Sequence, residues 1–466
     1  MSRYYLAIDI GASSGRHILA WLADGKMVLE EVHRFWNGMK EMDGRKCWDS
    51  EQLFHEILTG MKKCKELGKI PEFMGIDTWA VDFALIDGEG KRIGQTVGYR
   101  DDRTQGMDEE VYKVIPQDAL YARTGIQKQP FNTIYQLMAL KKQQPEELAQ
   151  AESLLMIPDY FDYLLTGVKV TEYTNASTTQ LLNPETKEWD EELIERLGYP
   201  RKIFTEIRRP GEVVGKLLPE VQREVGFNCR VVLPATHDTG SAVVAVPSNQ
   251  EDVLYISSGT WSLMGTELTA ADCSAESMAR NLTNEGGYDY RFRYLKNIMG
   301  MWMINSARTE IASDMSFGTI CEQAAQTTIT SLVPANDARF LAPKSMVKEV
   351  QAACAESGQQ VPEGIAEVAA VIYHSLAKCY ADTVEEIEQM TGKHYDCIHI
   401  VGGGSNAVYL NELTAKACRR TVYTGPTEAT AVGNIAVQMI AAGEVAGLKE
   451  AREMIFRSFP IGTYEA

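Results

Sequence analysis

The chain opens with YYLAIDIGASSGRHILAWL (residues 4–22), in which a short run of small residues separates two apolar segments. A second turn, ADGK (23–26), leads into another β-rich segment, MVLEEVHRF (27–35). Turns this short join antiparallel neighbours, whereas a parallel crossover needs a dozen or more residues. We therefore predict a β-meander, and not a strand that passes directly into a crossover helix.

The segments that follow alternate helical and strand patterns. SEQLFHEILTGMKKCKEL (50–67) has apolar residues at helical spacing after Ser50, a favoured N-cap type. FMGIDT (73–78) then predicts a buried strand, and VDFALIDGEGKRIG (81–94) a hairpin with its turn at 88–90. Residues 107–225 are predicted to be mostly helical, as an insert beside the first sheet.

The second half repeats this order. VLYISSGTWSLMGTEL (253–268) predicts another hairpin, and a long amphipathic helix is expected at about 362–390. A strand CIHIV, the loop GGGSNAVY, a helix through Cys418 and a last helix from TEATAVGN follow. The pattern predicts an α/β protein with two domains of one plan, each with a mixed sheet flanked by helices, over residues 1–244 and 245–466.

Composition excludes several classes of function. The formal charge of −18, with no basic run, disfavours a nucleic-acid partner. No run of about 18 apolar residues suggests a membrane span, and the N-terminus lacks a cleavage-site pattern. The nine cysteines form no CxxC pair, so the pattern indicates reduced thiols in a cytoplasmic protein and no zinc site.

Two turns of small residues are candidate phosphate sites. In DIGASSGR (9–16) consecutive backbone N–H groups are open to an anion, and Asp9 is placed to bind Mg²⁺. ISSGTWS (256–262) has the same build, with hydroxyls to meet phosphate oxygens. Each also suits an ordinary hairpin turn, but two such turns in the two halves favour a nucleotide.

A third glycine-rich segment, VGGGSN (401–406), follows a predicted strand and precedes a helix. Its glycines let the backbone lie flat against an adenine or ribose, although a tight strand-to-helix turn explains them equally well. The chain contains neither GxxxxGK[ST] nor a GxGxxG that opens a helix after the first strand. These absences exclude a P-loop NTPase and the usual dinucleotide-binding domain.

A kinase also needs a base that takes a proton from the acceptor hydroxyl. PATHDTGSAV (234–243) places Asp238 between an apolar strand and a small-residue helix start. Asp238 is the candidate base, although the local sequence by itself favours an N-cap of the helix, and one residue can serve in both roles. In IDTWAVDF (76–83), Trp79 and Asp82 are candidate sugar-binding residues, because sugar pockets combine aromatic faces with carboxylates.

Assembled in order, these segments resemble the FGGY family of carbohydrate kinases almost from end to end. The resemblance rests on AIDIGASSGR, HRFWNG, GIDTWAVDF, YRDDRT, PFNTIYQL, PDYFDYLLTG, EYTNASTTQL, THDT, YISSGTWSLMG, NEGG, LKNIMG, HIVGGGSN and GPTEAT. It implies two ribonuclease-H-like domains of the actin-like ATPase fold, with a cleft between them for ATP and sugar. The first domain would bind sugar and the second nucleotide.

The resemblance also implies site residues. Asp238 matches the family's general base, and Asp9, taken above from the turn itself, is the candidate Mg²⁺ ligand. The nucleotide contacts would come from Ala12, Ser13, Ser14, Gly15, Arg16, Thr260, Asn305, Gly402, Gly403 and Gly404. The resemblance places Ala80, His237, Thr239 and Asn297 at sugar-contacting positions, and these join the candidates Trp79 and Asp82 named above. Two residues depart from the pattern, because Ala80 stands where glycine is common and Asn305 where glutamine is expected.

The reaction that the resemblance implies is transfer of the γ-phosphoryl group of Mg-ATP to the 1-hydroxyl of L-rhamnulose. Ala80 keeps another ketose open, such as L-fuculose or L-xylulose. A further alternative is an actin-like module that uses ATP to change shape and phosphorylates no small molecule.

Overall fold

The computed structural model describes residues 3–466, which divide into two compact units. The first unit contains the described residues up to Ala245, together with Leu268–Tyr294 and Thr430–Ser458. The second contains Val246–Glu267, Leu295–Ala429 and Phe459–Ala466. Within residues 3–466, no helix has both the length and the apolar character that crossing a membrane requires.

The described residues form strands that are numbered here in chain order. They are β1 (Tyr4–Ile10), β2 (Ser14–Ala23), β3 (Lys26–Trp36), β4 (Lys40–Met42), β5 (Arg45–Trp48), β6 (Pro71–Thr78), β7 (Phe83–Ile86), β8 (Arg92–Ile93), β9 (Thr96–Val97), β10 (Ser153–Met156), β11 (Thr171–Glu172), β12 (Ile207–Arg208), β13 (Val213–Lys216), β14 (Arg230–Val232), β15 (Leu254–Ser258), β16 (Trp261–Leu268), β17 (Thr283–Gly286), β18 (Phe292–Met299), β19 (Cys397–Val401), β20 (Thr421–Thr424) and β21 (Gly462–Tyr464).

The α-helices are numbered in the same way. They are α1 (Ser50–Glu66), α2 (Met107–Tyr112), α3 (Gln117–Thr124), α4 (Thr133–Gln143), α5 (Pro145–Gln150), α6 (Ile157–Thr166), α7 (Tyr173–Ser177), α8 (Glu191–Leu197), α9 (Pro219–Val225), α10 (Asp238–Val244), α11 (Ala275–Ala279), α12 (Trp302–Ile311), α13 (Phe317–Ala325), α14 (Met346–Glu356), α15 (Gly364–Thr391), α16 (Val408–Cys418), α17 (Ala429–Ala441) and α18 (Leu448–Ser458).

The main sheet of the first unit has the strand order β13-β14-β6-β1-β2-β3. β1, β2 and β3 pair antiparallel, which confirms the predicted meander, whereas β6 is parallel to both β1 and β14. Alternate β1 residues Leu6 and Ile8 pack with Ile57 and Met61 of α1 in one buried core. Burial of each such aliphatic side chain stabilises the fold by about 1.5–3 kcal/mol. This core therefore fixes the position of β1 in the sheet.

The helix predicted from Ser50 forms, but its N-cap is Asp49. The Asp49 side chain accepts a hydrogen bond from the Gln52 N–H at 3.0 Å. Ser50 is already helical and is buried. The prediction of the cap was therefore wrong by one residue, because both residues are favoured cap types and only the backbone geometry selects one.

The stretch 107–225 is mostly helical, as predicted, but it is not only an insert. It contains β13, which pairs with β14 at the edge of the main sheet. Its helix α4 is buried in a second core, with Ile134, Leu137 and Met138 among the members. The strand at 213–216 was missed because it is short and half exposed, so its apolar alternation is weak.

The second sheet has the order β17-β18-β16-β15-β19-β20-β21. β15 pairs antiparallel with β16, and β15, β19 and β20 are parallel. The order β16-β15-β19-β20-β21 matches β2-β1-β6-β14-β13, including an antiparallel last strand in both sheets. The predicted repetition of one plan is therefore confirmed.

The helix that begins near TEATAVGN is not the last one, as the sequence had suggested, because α18 follows it. From Thr430 onward both helices belong to the first unit. Gln438 Nε2 on α17 donates to the Leu6 carbonyl at 2.9 Å, and Arg452 Nη2 on α18 donates to the Val243 carbonyl at 3.0 Å. The C-terminal helices thus complete the unit that the N-terminal strands begin.

Candidate active site

Three chain segments of the first unit meet where parallel strands end. Asp9 and Asp77 are register partners on the parallel strands β1 and β6. Thr78, the last residue of β6, forms a parallel bridge with His237, and its N–H donates to the Thr236 carbonyl at 2.9 Å. The carboxyl edge of a sheet is where ligands bind in open α/β folds. The fold therefore gathers carboxylates from distant parts of the sequence at this edge.

Asp77 is fully buried at the centre of this group. Its Oδ2 accepts a hydrogen bond from Asn434 Nδ2 at 2.5 Å, while its Oδ1 has no hydrogen-bond partner among the described residues. Burial, followed by the nearby Asp9 carboxylate, raises the pKa of Asp77 well above its ordinary range. Burial and the neighbouring carboxylate thus favour the neutral form of Asp77, in which it adds no negative charge to this edge of the sheet.

Asp238 is the first residue of α10, and the N-cap is His237. The alternative that Asp238 is the N-cap was therefore wrong, since Asp238 already has helical geometry. Its Oδ1 accepts from the Thr239 N–H at 2.6 Å and lies 3.3 Å from Thr239 Oγ1. The side chain is 32% exposed, so its carboxylate remains reachable by a ligand.

His237 lies between Asp238 and a buried ion pair. Its Nε2 is 3.5 Å from Asp238 Oδ1, and its Nδ1 is 2.9 Å from Arg293 Nη2. Arg293 Nη2 is 3.2 Å from Glu285 Oε2. No site role was predicted for Arg293, or for Glu285 of the NEGG motif, because nothing in the local pattern places residues 285–293 beside residue 237.

Glu172 fixes the segment that precedes Asp238. Its buried Oε2 accepts from the Thr236 N–H at 3.0 Å and from Thr236 Oγ1 at 2.7 Å. It also accepts from Thr174, whose Oγ1 in turn accepts from the His237 N–H at 3.3 Å. This carboxylate, also missed from the sequence, ties the start of α10 to α7.

The turn that joins β1 and β2 has the open backbone that an anion requires. The Gly11 N–H donates to the Ser14 carbonyl at 2.9 Å, and buried Asn37 donates its Nδ2 to the Gly11 carbonyl at 2.8 Å. In the described structure the N–H groups of Ala12 and Ser13 have no such acceptor. They are the groups that fit a phosphate oxygen.

Gly15 and Arg16 follow this turn in β2. A Cβ on Gly15 would lie 2.1 Å from the Phe35 ring, so close packing explains this glycine without a ligand. The Arg16 guanidinium contacts Asp9 with Nε 3.1 Å from Oδ2. Asp9 therefore already has a cationic partner at the edge where the prediction places Mg²⁺.

Within residues 3–466, the protein side chains do not by themselves form a complete metal site. No group of three or more His, Cys, Asp or Glu side chains within residues 3–466 is arranged to bind an ion. A magnesium ion at Asp9 would thus take one protein carboxylate and complete its shell with water and phosphate oxygens. That coordination is the usual one for Mg²⁺ carried with a nucleotide.

Asp82 makes four hydrogen bonds within the protein. Its Oδ2 accepts from Trp48 Nε1 at 2.7 Å, Trp79 Nε1 at 3.0 Å and the Tyr99 N–H at 3.0 Å, and its Oδ1 accepts from Gln136 Nε2 at 2.9 Å. Burial raises its pKa to about 6 despite these donors. Asp82 is thus placed to orient the tryptophans, and its predicted sugar contact would compete with four bonds already formed.

Trp79 and Ala80 lie in the short connection after β6. The Trp79 ring packs on the Trp48 ring with 4.0 Å between centroids. Ala80 is partly exposed beside it, and Val81 has a φ of 67°, which is rare for a β-branched residue. The Val81 carbonyl accepts from Thr133 Oγ1 at 2.7 Å, so α4 holds this strained connection in place.

In the second unit, the β15–β16 turn lies beside the glycine loop after β19. A Cβ on Gly402 would be 2.9 Å from the Ser258 carbonyl, and one on Gly404 would be 1.9 Å from Ser258 Oγ. Gly402 also has a φ of 88°. Gly403 faces open space, since no atom lies within 4 Å of its Cβ position. The structure thus brings together the turn that carries Thr260 and the loop that the sequence assigned to nucleotide.

Asn305 and Asn297 are the remaining predicted residues of this unit. The N–H groups of Met301 and Trp302 donate to the Gly259 and Thr260 carbonyls at 3.2 and 3.0 Å, which places the start of α12 against the turn. Asn305 lies one turn further along α12 and is exposed. Asn297 is partly buried in β18. Their contacts with nucleotide and sugar stay predictions.

Comparison with known proteins identifies the family. Residues 4–245 match the N-terminal domain, and residues 254–442 the C-terminal domain, of the FGGY family of carbohydrate kinases. The chain is 50% identical to a rhamnulokinase of Halalkalibacterium halodurans, over 99% of this chain and 98% of that protein. It is 44% identical to a rhamnulokinase of Bacillus subtilis, over 99% of this chain and 95% of that protein.

Solved structures agree on the fold. A gluconate kinase from Lactobacillus acidophilus superimposes with a TM-score of 0.81 at 16% identity, covering 100% of this chain and 94% of that one. A xylulose kinase from the same organism gives a TM-score of 0.79 at 17% identity, covering 99% and 94%. At such low identity these structures establish the two-domain fold alone. Together, the full-length sequence matches and the fold show that the chain belongs to the FGGY family of carbohydrate kinases and is a sugar kinase.

Proposed function

We propose that this kinase transfers the γ-phosphoryl group of ATP to the 1-hydroxyl of L-rhamnulose, with Asp238 as the general base. The relatives that carry the name rhamnulokinase are 44–50% identical over nearly the whole chain. The observation that carries the mechanism is the placement of Asp238, a reachable carboxylate at the strand edge of the first unit. The nine free cysteines suit a cytoplasmic site of action.

The protein residues have separate tasks in this reaction. The Thr239 N–H holds Oδ1 of Asp238, so that Oδ2 is the oxygen that takes the proton from the sugar hydroxyl. The sugar oxygen then forms a bond to the γ-phosphorus as the bond to ADP breaks. The raised pKa of Asp77 favours its neutral form, which limits the negative charge at this edge of the sheet. We assign sugar contacts to Trp79, Ala80, His237, Thr239 and Asn297, and an orienting role to Asp82.

The nucleotide is assigned to the two turns and the glycine loop. Backbone N–H groups of Ala12 and Ser13 suit phosphate oxygens, and Thr260 adds a hydroxyl. ATP, when bound with Mg²⁺, supplies the phosphoryl group and the neutralising cation. Asp9 is the carboxylate that would share that cation with the phosphates.

Gly403→Ala tests whether adenosine lies on the glycine loop. The new methyl group meets no protein atom within 4 Å, so we expect the melting temperature to be unchanged. Because the methyl would lie between backbone and ligand, we expect ATP affinity to fall about tenfold, as overpacking of about 1–3 kcal/mol predicts. Isothermal titration with a non-hydrolysable ATP analogue measures this.

The control variant is Gly402→Ala, which should lose stability even without nucleotide. Gly402 has a φ of 88°, which side chains disfavour, and a Cβ there would lie 2.9 Å from the Ser258 carbonyl oxygen. If a folded Gly403→Ala protein bound ATP as tightly as the wild type, the assignment of this loop to the nucleotide site would be wrong.

A coupled ADP-release assay across a panel of ketoses tests the proposed function. We expect turnover to depend on added sugar and kcat/KM to be highest for L-rhamnulose, with phosphate found on the 1-oxygen of the product by ³¹P NMR. A higher kcat/KM for L-fuculose in its ketose form or for L-xylulose would reassign the substrate and point to Ala80. Slow turnover that no sugar changes would instead favour a shape-changing ATPase module.

A further inference from the structure

Arg293 is a fully buried charged residue near the proposed base. Its side chain is 0% exposed, and its Nη2 contacts His237 Nδ1 at 2.9 Å. Its Nε donates to the Gly286 carbonyl at 2.8 Å, and Glu285 Oε2 lies 3.2 Å from Nη2. The hydrogen bond to the carbonyl and the ion pair with the carboxylate hold the guanidinium beside the imidazole.

A guanidinium can only donate hydrogen bonds, because it carries five N–H groups and no acceptor. His237 Nδ1 must therefore accept at 2.9 Å, and the ring proton must be on Nε2. We propose that Arg293 is a positioning residue that holds His237 in the Nε2–H tautomer. This inference deepens the function proposed above and rests on it for its kinetic consequence, but not for the tautomer itself.

The opposite tautomer meets a steric and electrostatic obstacle. A proton on Nδ1 could be shared with Glu285 Oε2, which is 3.4 Å away. The same proton would then face the Nη2–H of Arg293 across a distance of 2.9 Å between the two nitrogens. The shorter contact and the fixed charge of Arg293 favour the Nε2–H form.

This tautomer affects the reacting carboxylate. Nε2 is 3.5 Å from Asp238 Oδ1, the oxygen that also accepts from the Thr239 N–H. With the proton on Nε2, this N–H faces the Asp238 carboxylate or a sugar oxygen as a donor, whereas an unprotonated Nε2 would turn a lone pair toward the carboxylate. Arg293 thus acts on the reaction through His237, without touching substrate.

The experiment records the ring ¹⁵N shifts of the histidines in the full chain at pH 8.5, with no sugar or nucleotide present. A neutral imidazole reveals its tautomer by which nitrogen has the pyridine-like shift. The His237→Gln variant identifies the signals of His237 among the seven histidines. We expect Nδ1 to be pyridine-like and Nε2 protonated in the wild type. A proton on Nδ1 would overturn the proposal.

Three substitutions test the cause. In Arg293→Met, Glu285 is left to attract the proton, so we expect the tautomer to shift toward Nδ1–H, whereas Arg293→Lys should retain Nε2–H because lysine also only donates. An unchanged tautomer in Arg293→Met would overturn the proposal. Removing one partner of a buried pair can prevent folding. Glu285→Gln therefore supplies a second test, since loss of the Nε2–H form there would make Glu285 the residue that sets it.

Kinetics give a further readout that structural damage would not produce. We expect Arg293→Met to lower kcat/KM for sugar about 10- to 100-fold, the usual cost of a lost charged-group hydrogen bond, with the KM for ATP unchanged. Arg293→Lys should recover most of this loss. Arg123→Met, which breaks the ion pair with Asp190 elsewhere in the same unit, should change neither property. If wild type does not use the sugar, the proposed function fails while the tautomer result stands.

Discussion

Asp238→Asn is expected to lower kcat about 10³-fold, because the amide cannot take the proton of the acceptor hydroxyl. The amide oxygen can still accept the hydrogen bond that the Thr239 N–H donates to Oδ1 at 2.6 Å, so α10 should keep its start. A base acts in the transition state more than in ground-state binding. We therefore expect the KM values for ATP and sugar to change by less than about threefold. Steady-state kinetics with both substrates varied measures the two effects separately.

Asp49→Asn is the matched control for this variant. It makes the same change of charge at a helix start, where Asp49 caps α1, and asparagine is an equally good cap. Its kcat should stay within about twofold of the wild type. Turnover near the wild-type value in Asp238→Asn would reduce Asp238 to a structural residue at the start of α10.

Gly433→Ala is expected to destabilise the first unit by more than about 3 kcal/mol. A Cβ at this position would lie 1.8 Å from the Ser241 carbonyl oxygen, which is backbone and cannot rotate away. In an exposed helix the same change would raise the free energy of unfolding by about 1 kcal/mol. A decrease would therefore be evidence for the close approach of α17 to α10. Urea unfolding followed by circular dichroism measures the loss.

The same substitution should also disturb the candidate active site. Asn434, the next residue, donates to Asp77 at 2.5 Å, and α10 begins with Asp238. A displaced α17 would weaken that bond and lower kcat as well as stability. Gly318→Ala in α13 is the control, because the nearest atom to its Cβ position is 3.8 Å away. Equal stabilities of the two alanine variants would contradict the close approach.

Sequence reasoning succeeded where the signal was local. The meander of 4–35 and the hairpin of 253–268 formed as predicted, since apolar alternation and short turns act over a few residues. It failed at the cap of α1 and at β13, where neighbouring residues are equally suited or the pattern is weak. It also missed α18, because the helix from TEATAVGN was predicted to be the last one.

The candidate site was only partly accessible from sequence. The residues of DIGASSGR, THDT and VGGGSN could be selected by residue type, and the family resemblance that joins them is confirmed by matches over both halves of the chain. Their individual roles stay predictions. No role was predicted for Arg293, or for Glu172 and Glu285 within their motifs, because only folding places these three residues beside the 236–238 segment.

By itself, the sequence determined the meander and the second hairpin, the two glycine turns, the repeated plan and the family, because these follow from local periodicity and from motifs in a fixed order. Only the tertiary structure decided how the charges of the site influence one another. Burial and the nearby Asp9 carboxylate raise the pKa of Asp77, while the hydrogen bond from an asparagine 357 residues away lowers it. The contact of Arg293 with His237, the residue before Asp238, likewise exists only in the folded chain. Protonation is set by the dielectric and the neighbours of a group, and both arise only when distant segments pack together.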